Sequence, residues 1–273
     1  MKKYEEIKRI LTQDFGFTDL DAYRKWIETE RPKTRPTPER VAKLSPDAID
    51  NRDFWRVCEE LFGTDPVANA AIAPKGGRLP YAVEGKMDAN RMNLRLAKSL
   101  GITAFLDENA DKRLKTFEIG PGFGSLKNYI ETHTSHVYMG VDVFPRIPDV
   151  IEATAEGLIP RDVVERERDA CSYVISSNVF QHLSARQRSR YFEDARALLH
   201  AGGLFIFNLT IDTGKTPASA RDAKGVAWVD HYGQYTLMPK AGDLYDELAA
   251  GFDILYVLQR YDALFNFVCQ KRG

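Results

Sequence analysis

Thr116–Ile130 reads TFEIGPGFGSLKNYI: an apolar run, three glycines within five positions, then a segment of helical character. Glycines clustered at such a junction mean that something lies too close to the backbone for side chains to be kept. Downstream the same grammar repeats. Leu114–Gly120 is strand-like and SLKNYIETH continues as a helix; His136–Phe144 is a second strand and Ile151–Ala155 a short third. Ala170–Ser176 is a fourth strand, Ser184 an N-cap, and Tyr191, Phe192, Ala195, Leu198 and Leu199 share one face of the next helix. That helix is expected to stop at Gly202, with Gly203–Thr210 as a fifth strand. Strands alternating with helices specify an α/β fold, a mostly parallel sheet covered on both faces. DILYVLQRY and LFNFVCQKR, on either side of Tyr261-Asp262-Ala263, close the chain as an antiparallel hairpin.

The first hundred residues differ. Apolar residues recur there at helical spacing (Tyr4, Ile7, Ile10, Leu11; Leu20, Tyr23, Trp26, Ile27), interrupted by the proline-rich, basic stretch RPKTRPTPER at Arg31–Arg40. Two regions are therefore expected: a helical N-terminal cap or lid over 1–90, and the α/β domain over 91–273. Apolar residues make up 44% of the 273-residue chain and charged residues 28%, the balance of an ordinary globular protein. With 38 basic against 39 acidic side chains, the chain lacks the basic excess that disfavoured nucleic-acid partners would require. Three separated cysteines give neither a disulfide framework nor a zinc-ligand pair, and the charged N-terminus has no leader-like apolar run. A cytoplasmic protein without a membrane span is the expectation.

What lies on the glycine turn is decided by its neighbours. The spacing Gly120-x-Gly122-x-Gly124 misses the dinucleotide fingerprint, which needs its third glycine at position 125, where Ser stands. No Gly-Lys-Ser/Thr follows, so a P-loop is excluded. Glu118 sits two residues before the first glycine, where a carboxylate would repel a pyrophosphate but suit an ammonium group. Asp142 ends the second strand 22 residues after Gly120, where an acid can accept both hydroxyls of a ribose. One acid for an amine, another for a ribose and no base for a phosphate together describe S-adenosyl-L-methionine.

At this point the sequence resembles the class I, Rossmann-like S-adenosylmethionine-dependent methyltransferases, over roughly residues 90–273. FEIGPGFG looks like the first motif of that family, with Glu118, Gly120, Pro121, Gly122 and Gly124 around the methionine end of the cofactor. GVDVF looks like the second, with Asp142 on the ribose and Val143 against the adenine. ATAEGL is similar to the adenine-edge segment, although Thr154, followed by Ala155, stands where the family often has Asp. SYVISSNVFQHLS resembles the segment after the fourth strand, with Ser177 and Asn178 near the methionine part. The resemblance implies a seven-stranded sheet ending in an antiparallel hairpin, and methyl transfer by in-line displacement at the sulfonium, with S-adenosyl-L-homocysteine as product.

A base is needed only for some acceptors. If the acceptor is a hydroxyl, His231, His182, Asp230 or Tyr232 is in a plausible segment for that work. Each has a plainer reading: His182 packs beside the cofactor, and the aromatic stretch GVAWVDHYGQY, with Trp228, Tyr232 and Tyr235, merely packs a lid, although lining a substrate pocket is the expectation preferred for it. Ser177-Asn178-Val179-Phe180 lacks the prolines of the enzymes that methylate nucleobase amines, the paired glutamates of the protein-arginine type and the carboxylates that hold magnesium in catechol-type enzymes. A small-molecule acceptor is the remaining expectation (a sugar, a natural product or a metabolite, methylated on O or N), with the N-terminal region as a cap and as a surface for homodimer formation. The rivals are an RNA or tRNA methyltransferase using the Arg31–Lys43 stretch and the 75–85 loop, an NAD-dependent oxidoreductase on a similar sheet, and a scaffold without activity.

Overall fold

The computed structural model describes residues 101–273 except 123, 144, 146, 213–220, 223–224, 230–234 and 260–262, and over 221–237 it describes the course of the backbone alone. The expected N-terminal helices lie outside the described residues. Two compact units divide the chain: Met1–Ala89 with Thr216–Leu237, and Asn90–Lys215 with Met238–Gly273.

The second unit is built on a seven-stranded sheet. In chain order its described elements begin with helix α1 (Ile102–Asp107), strand β1 (Lys115–Ile119), α2 (Ser125–His133), β2 (Val137–Asp142), β3 (Val150–Glu152) and α3 (Arg161–Arg166). There follow β4 (Cys171–Ser176), a single 3-10 turn (Phe180–His182), α4 (Ala185–Leu198) and β5 (Leu199–Thr210). In the first unit, β6 (Arg221–Asp222), β7 (Gly225–Val229) and β8 (Tyr235–Met238) form a three-stranded sheet in that order. The aromatic stretch around Trp228 is thus largely strand rather than a bare connection. The chain closes with α5 (Ala241–Ala249), β9 (Phe252–Gln259) and β10 (Leu264–Lys271).

The large sheet has the order β3-β2-β1-β4-β5-β10-β9. β3, β2, β1, β4 and β5 run parallel; β10 is antiparallel to both β5 and β9, as the hairpin reading requires. The crossover from β3 back past β1 to β4 makes β1 and β4 the point where strand order reverses, and ligands of open α/β sheets bind beyond the carboxyl ends of such strands. Alternate residues of the central strands feed two cores. Phe117, Ile119, Val141, Val174, Phe205 and Phe207 pack on one face under α4 and α5; Tyr138, Ile175, Ile206 and Val268 pack on the other with Ile102, Leu106, Leu126 and Ile130 of α1 and α2.

One boundary differs from the sequence reading. Helix α4 ends at Leu198, four residues before Gly202, and Leu199 is already extended (φ −72°, ψ 139°). Gly202 lies inside β5 at φ +80°, in the stretch where the β4–β5 register shifts. A left-handed glycine ends a helix or kinks a strand with equal ease, and here it kinks the strand. The start of α4 is as expected: Ser184 Oγ accepts from the Gln187 N–H (3.2 Å), and Gln187 Oε1 accepts from the Ser184 N–H (3.0 Å), a reciprocal capping box. Ser184→Ala is expected to lower unfolding stability by about 1 kcal/mol in urea titrations. No helix among the described residues is long and apolar enough to cross a membrane.

Candidate functional site

The carboxylates singled out in the sequence stand on neighbouring strands. Glu118 is the penultimate residue of β1, 5% exposed, in register with Gly140 of β2 and Ile175 of β4. Its Oε2 accepts a 2.7 Å hydrogen bond from the Tyr138 hydroxyl. Burial pushes the Glu118 carboxyl up to about 8; the Tyr138 hydrogen bond pulls the other way, and the nearby Asp142 charge adds to the rise. Burial and the Glu118 charge in turn raise the Tyr138 phenol.

Tyr138 is a site residue that the sequence reading missed. It reaches Glu118 because Gly140, two positions on along the same face of β2, has no side chain: a Cβ there would lie 2.8 Å from the Tyr138 oxygen and 3.3 Å from Pro121. A lone glycine inside a strand, preceded at i−2 by an aromatic, was the available signal. Lys127 was missed as well. Its ammonium lies 5.6 Å from the centre of the Tyr138 ring, but its charge is taken by Glu131 and by Asp149 at 3.4 Å. A base therefore stands near the turn, engaged with carboxylates.

Asp142 closes β2 and braces the glycine turn: its Oδ2 accepts the Gly122 N–H at 3.0 Å. Gly120, Gly122 and Gly124 all have positive φ, at 73°, 55° and 78°. A Cβ on Gly120 would meet Val179 Cγ2 at 2.3 Å, and one on Gly124 would meet Ile147 Cδ1 at 2.5 Å. The chain's own side chains fill the space next to two of the three glycines. Gly124 also serves as the left-handed N-cap of α2, directly after the turn.

The segment after β4 is held against this turn from below. Phe180 is fully buried in an aromatic cluster with Tyr191, Phe192, Phe205 and Phe207, ring centres 5.2–6.1 Å away. Asn178 takes a left-handed conformation (φ 60°); its N–H donates to Asn208 Oδ1 (2.6 Å) and its side-chain oxygen accepts from Asn208 Nδ2 (3.0 Å). Its amide oxygen is thus already engaged by β5. Ser177, by contrast, has an enclosed hydroxyl without a hydrogen-bond partner among the described residues. His182 ends the 3-10 turn, half-buried, with its N–H on the Val179 carbonyl (2.8 Å).

The segment expected at an adenine edge is a tight loop. Thr154 Oγ1 accepts the Leu158 N–H (3.3 Å) and the Thr154 carbonyl accepts the Gly157 N–H (2.8 Å), so this hydroxyl shapes the turn; Ala155 is exposed on it. Helix α4 fixes the loop: Gln187 donates to the Glu156 carbonyl and Tyr191 to the Gly157 carbonyl, both at 2.8 Å. Val143 is half-buried beside it, 3.7 Å from where a Gly157 Cβ would stand. His231, Tyr232 and Asp230 lie outside the described residues.

No family model and no curated protein matches the chain. Solved structures do. The PH0226 protein from Pyrococcus horikoshii OT3 is similar to it with a TM-score of 0.51 at 14% identity, over 67% of this chain and 92% of that one. The 1,6-didemethyltoxoflavin-N1-methyltransferase of Burkholderia thailandensis, solved with S-adenosylhomocysteine, has a TM-score of 0.46 at 16% identity, over 66% and 78% of the two chains. An S-adenosylmethionine-dependent methyltransferase from Mesorhizobium loti gives 0.46 at 16% identity, over 63% and 98%. The chain has an α/β, Rossmann-like fold, with the antiparallel hairpin that the motif order implied.

Proposed function

We propose that this protein is an S-adenosyl-L-methionine-dependent methyltransferase acting on a small-molecule acceptor. The observation that carries the reading is the pair of carboxylates, Glu118 and Asp142, at the carboxyl tips of adjacent strands on either side of a positive-φ glycine turn. The residues present fit the cofactor. Glu118 is a buried acid that wants a cation, and Ser177 offers an unpartnered hydroxyl in the segment beside the methionine end. Among the described residues, Lys127, a base close to the turn, is engaged by acids rather than held open for a pyrophosphate.

When bound, the cofactor supplies a methyl group on a positively charged sulfur, a leaving group that needs no protonation. The protein's part is placement. Glu118 would hold the amine, and Tyr138 fixes the orientation of that carboxylate. Asp142 would take ribose hydroxyls while one of its oxygens keeps the turn in shape through Gly122. Val143 and the loop carrying Thr154 and Ala155 would bound the adenine, with Gln187 and Tyr191 holding that loop. Ser177 and Asn178 would lie toward the sulfur. Catalysis by such a site comes mainly from alignment of the acceptor with the methyl group. His182, His231 and Tyr232 remain the candidates for a base where the acceptor is a hydroxyl, and the region 1–90 is read as a cap over the 91–273 domain.

Isothermal titration separates this reading from its nearest rival. S-adenosylhomocysteine is expected to bind one-to-one and NAD not at all; binding of NAD alone would replace the methyltransferase reading with an oxidoreductase one.

A further inference from the structure

Two buried asparagines interrupt the apolar central strands, and they are treated very differently. Asn208 on β5 uses its amide to hold Asn178. Asn266, directly opposite it on β10, is 3% exposed, yet neither its oxygen nor its nitrogen has a hydrogen-bond partner among the described residues. The Thr210 hydroxyl, two residues beyond Asn208 and therefore on the same face of the sheet, is enclosed and unpartnered too. Side chains directly opposite on paired strands stand about 4.5–5.5 Å apart at Cβ, and diagonal ones about 7–8 Å, so these groups form one polar patch. It lies at the carboxyl end of β5, where Asn208 reaches the segment after β4.

An enclosed carboxamide with both of its polar atoms unsatisfied destabilises a fold, and cores keep such groups where they have a use. The position also separates this patch from the proposed adenine site. Val143 and Thr154 belong to the β2–β3 side of β1, whereas β5 and β10 lie on the opposite side, beyond β4. The patch is therefore placed for the acceptor half of the reaction. Its chemistry is neutral: Asn208, Thr210 and Asn266 carry no charge. A carboxamide presents one acceptor and one donor side by side in a plane, and its complement is a flat edge with an adjacent N–H and acceptor oxygen or nitrogen.

We infer that Asn266 is a specificity residue of the methyl-acceptor site, recognising a neutral heterocycle through a paired carbonyl and N–H, as in a cyclic amide or imide. The inference rests on the methyltransferase reading for the role of that ligand, and on Asn266, Thr210 and β10 for its chemistry.

Uracil is a suitable probe, since it carries such an edge and no charge. In wild-type protein saturated with S-adenosylhomocysteine, millimolar uracil is expected to shift the Asn266 side-chain NH2 cross-peak in nitrogen-15 NMR spectra. Asn266→Leu should weaken uracil binding at least tenfold, leave S-adenosylhomocysteine affinity unchanged and raise the melting temperature by about 2 °C or more, because an unpaired amide has been removed. An unmoved cross-peak, equal uracil affinity in both proteins, or a lower melting temperature for Asn266→Leu would each overturn the inference, the last by showing an amide satisfied within the fold. If S-adenosylhomocysteine binds neither protein while uracil still shifts the cross-peak, the methyltransferase reading fails and the amide site stands.

Discussion

Gly120→Ala is expected to abolish measurable cofactor binding, a loss of at least about 100-fold, while leaving the sheet folded. Two effects combine. At φ 73° an L-residue costs roughly 1–2 kcal/mol. The new methyl would also stand 2.3 Å from Val179 Cγ2, so either the turn or the segment after β4 must move. Both belong to the site: the turn carries the Gly122 N–H that Asp142 holds, and Val179 adjoins Asn178. Val179→Ala in the same chain removes one of the two effects. The double variant should therefore recover part of the binding, and the part that does not return measures the backbone cost. Full recovery would mean that Gly120 only makes room for Val179; no recovery would mean that the conformation of the turn decides everything. Titration with S-adenosylhomocysteine and circular dichroism of the wild type and the two variants give the answer.

Glu118→Gln should weaken S-adenosylhomocysteine binding by about 1–3 kcal/mol, the value of a charge-assisted hydrogen bond, and should also change how binding depends on pH. The Glu118 carboxyl is raised to about 8, chiefly by burial, so the free protein carries it protonated at pH 7. An ammonium group binds the ionised form, and binding at pH 7 must then expel close to one proton. Affinity should rise with pH between 6 and 7.5 and level off near 8. Titrations in buffers of different ionisation enthalpy count the proton released: close to one for wild type, none for Glu118→Gln. The same shift has a sign for folding. An acid with a raised folded pKa holds a proton that the unfolded chain has lost, so its contribution to stability is undiminished below about 4.5 and falls as pH rises to about 8. Glu118→Gln should remove that decline. A wild-type protein that releases no proton on binding would show that Glu118 does not meet the amine.

Much of this site was legible in the sequence because its parts are strand ends. An apolar run that stops at Glu118-Ile119-Gly120 or Gly140-Val141-Asp142 announces both a buried strand and the residue at its tip. The alternation of strands and helices then put those tips on one edge of a parallel sheet. What the sequence withheld is tertiary. The Tyr138–Glu118 bond crosses between strands, and the contact of Val179 with Gly120 joins residues 59 apart. Local chemistry also misled where one residue type serves two ends. Gly202 has the positive φ of a helix terminator but uses it within β5. Asn208 and Asn266 did leave a trace, as polar residues flanked by apolar ones in GLFIFNLT and LFNFVCQ. Their spacing gave no hint that one is satisfied and the other is not.

The central claim concerns where an adenosyl sulfonium compound sits, and a crystal structure of the protein soaked with S-adenosylhomocysteine tests it most directly. The expected density runs along the tips of β2, β1 and β4, with the amine within hydrogen-bond distance of Glu118 and the ribose hydroxyls on Asp142. Density that lies away from both carboxylates, or a protein that takes up none of the compound at saturating concentration, would contradict the account.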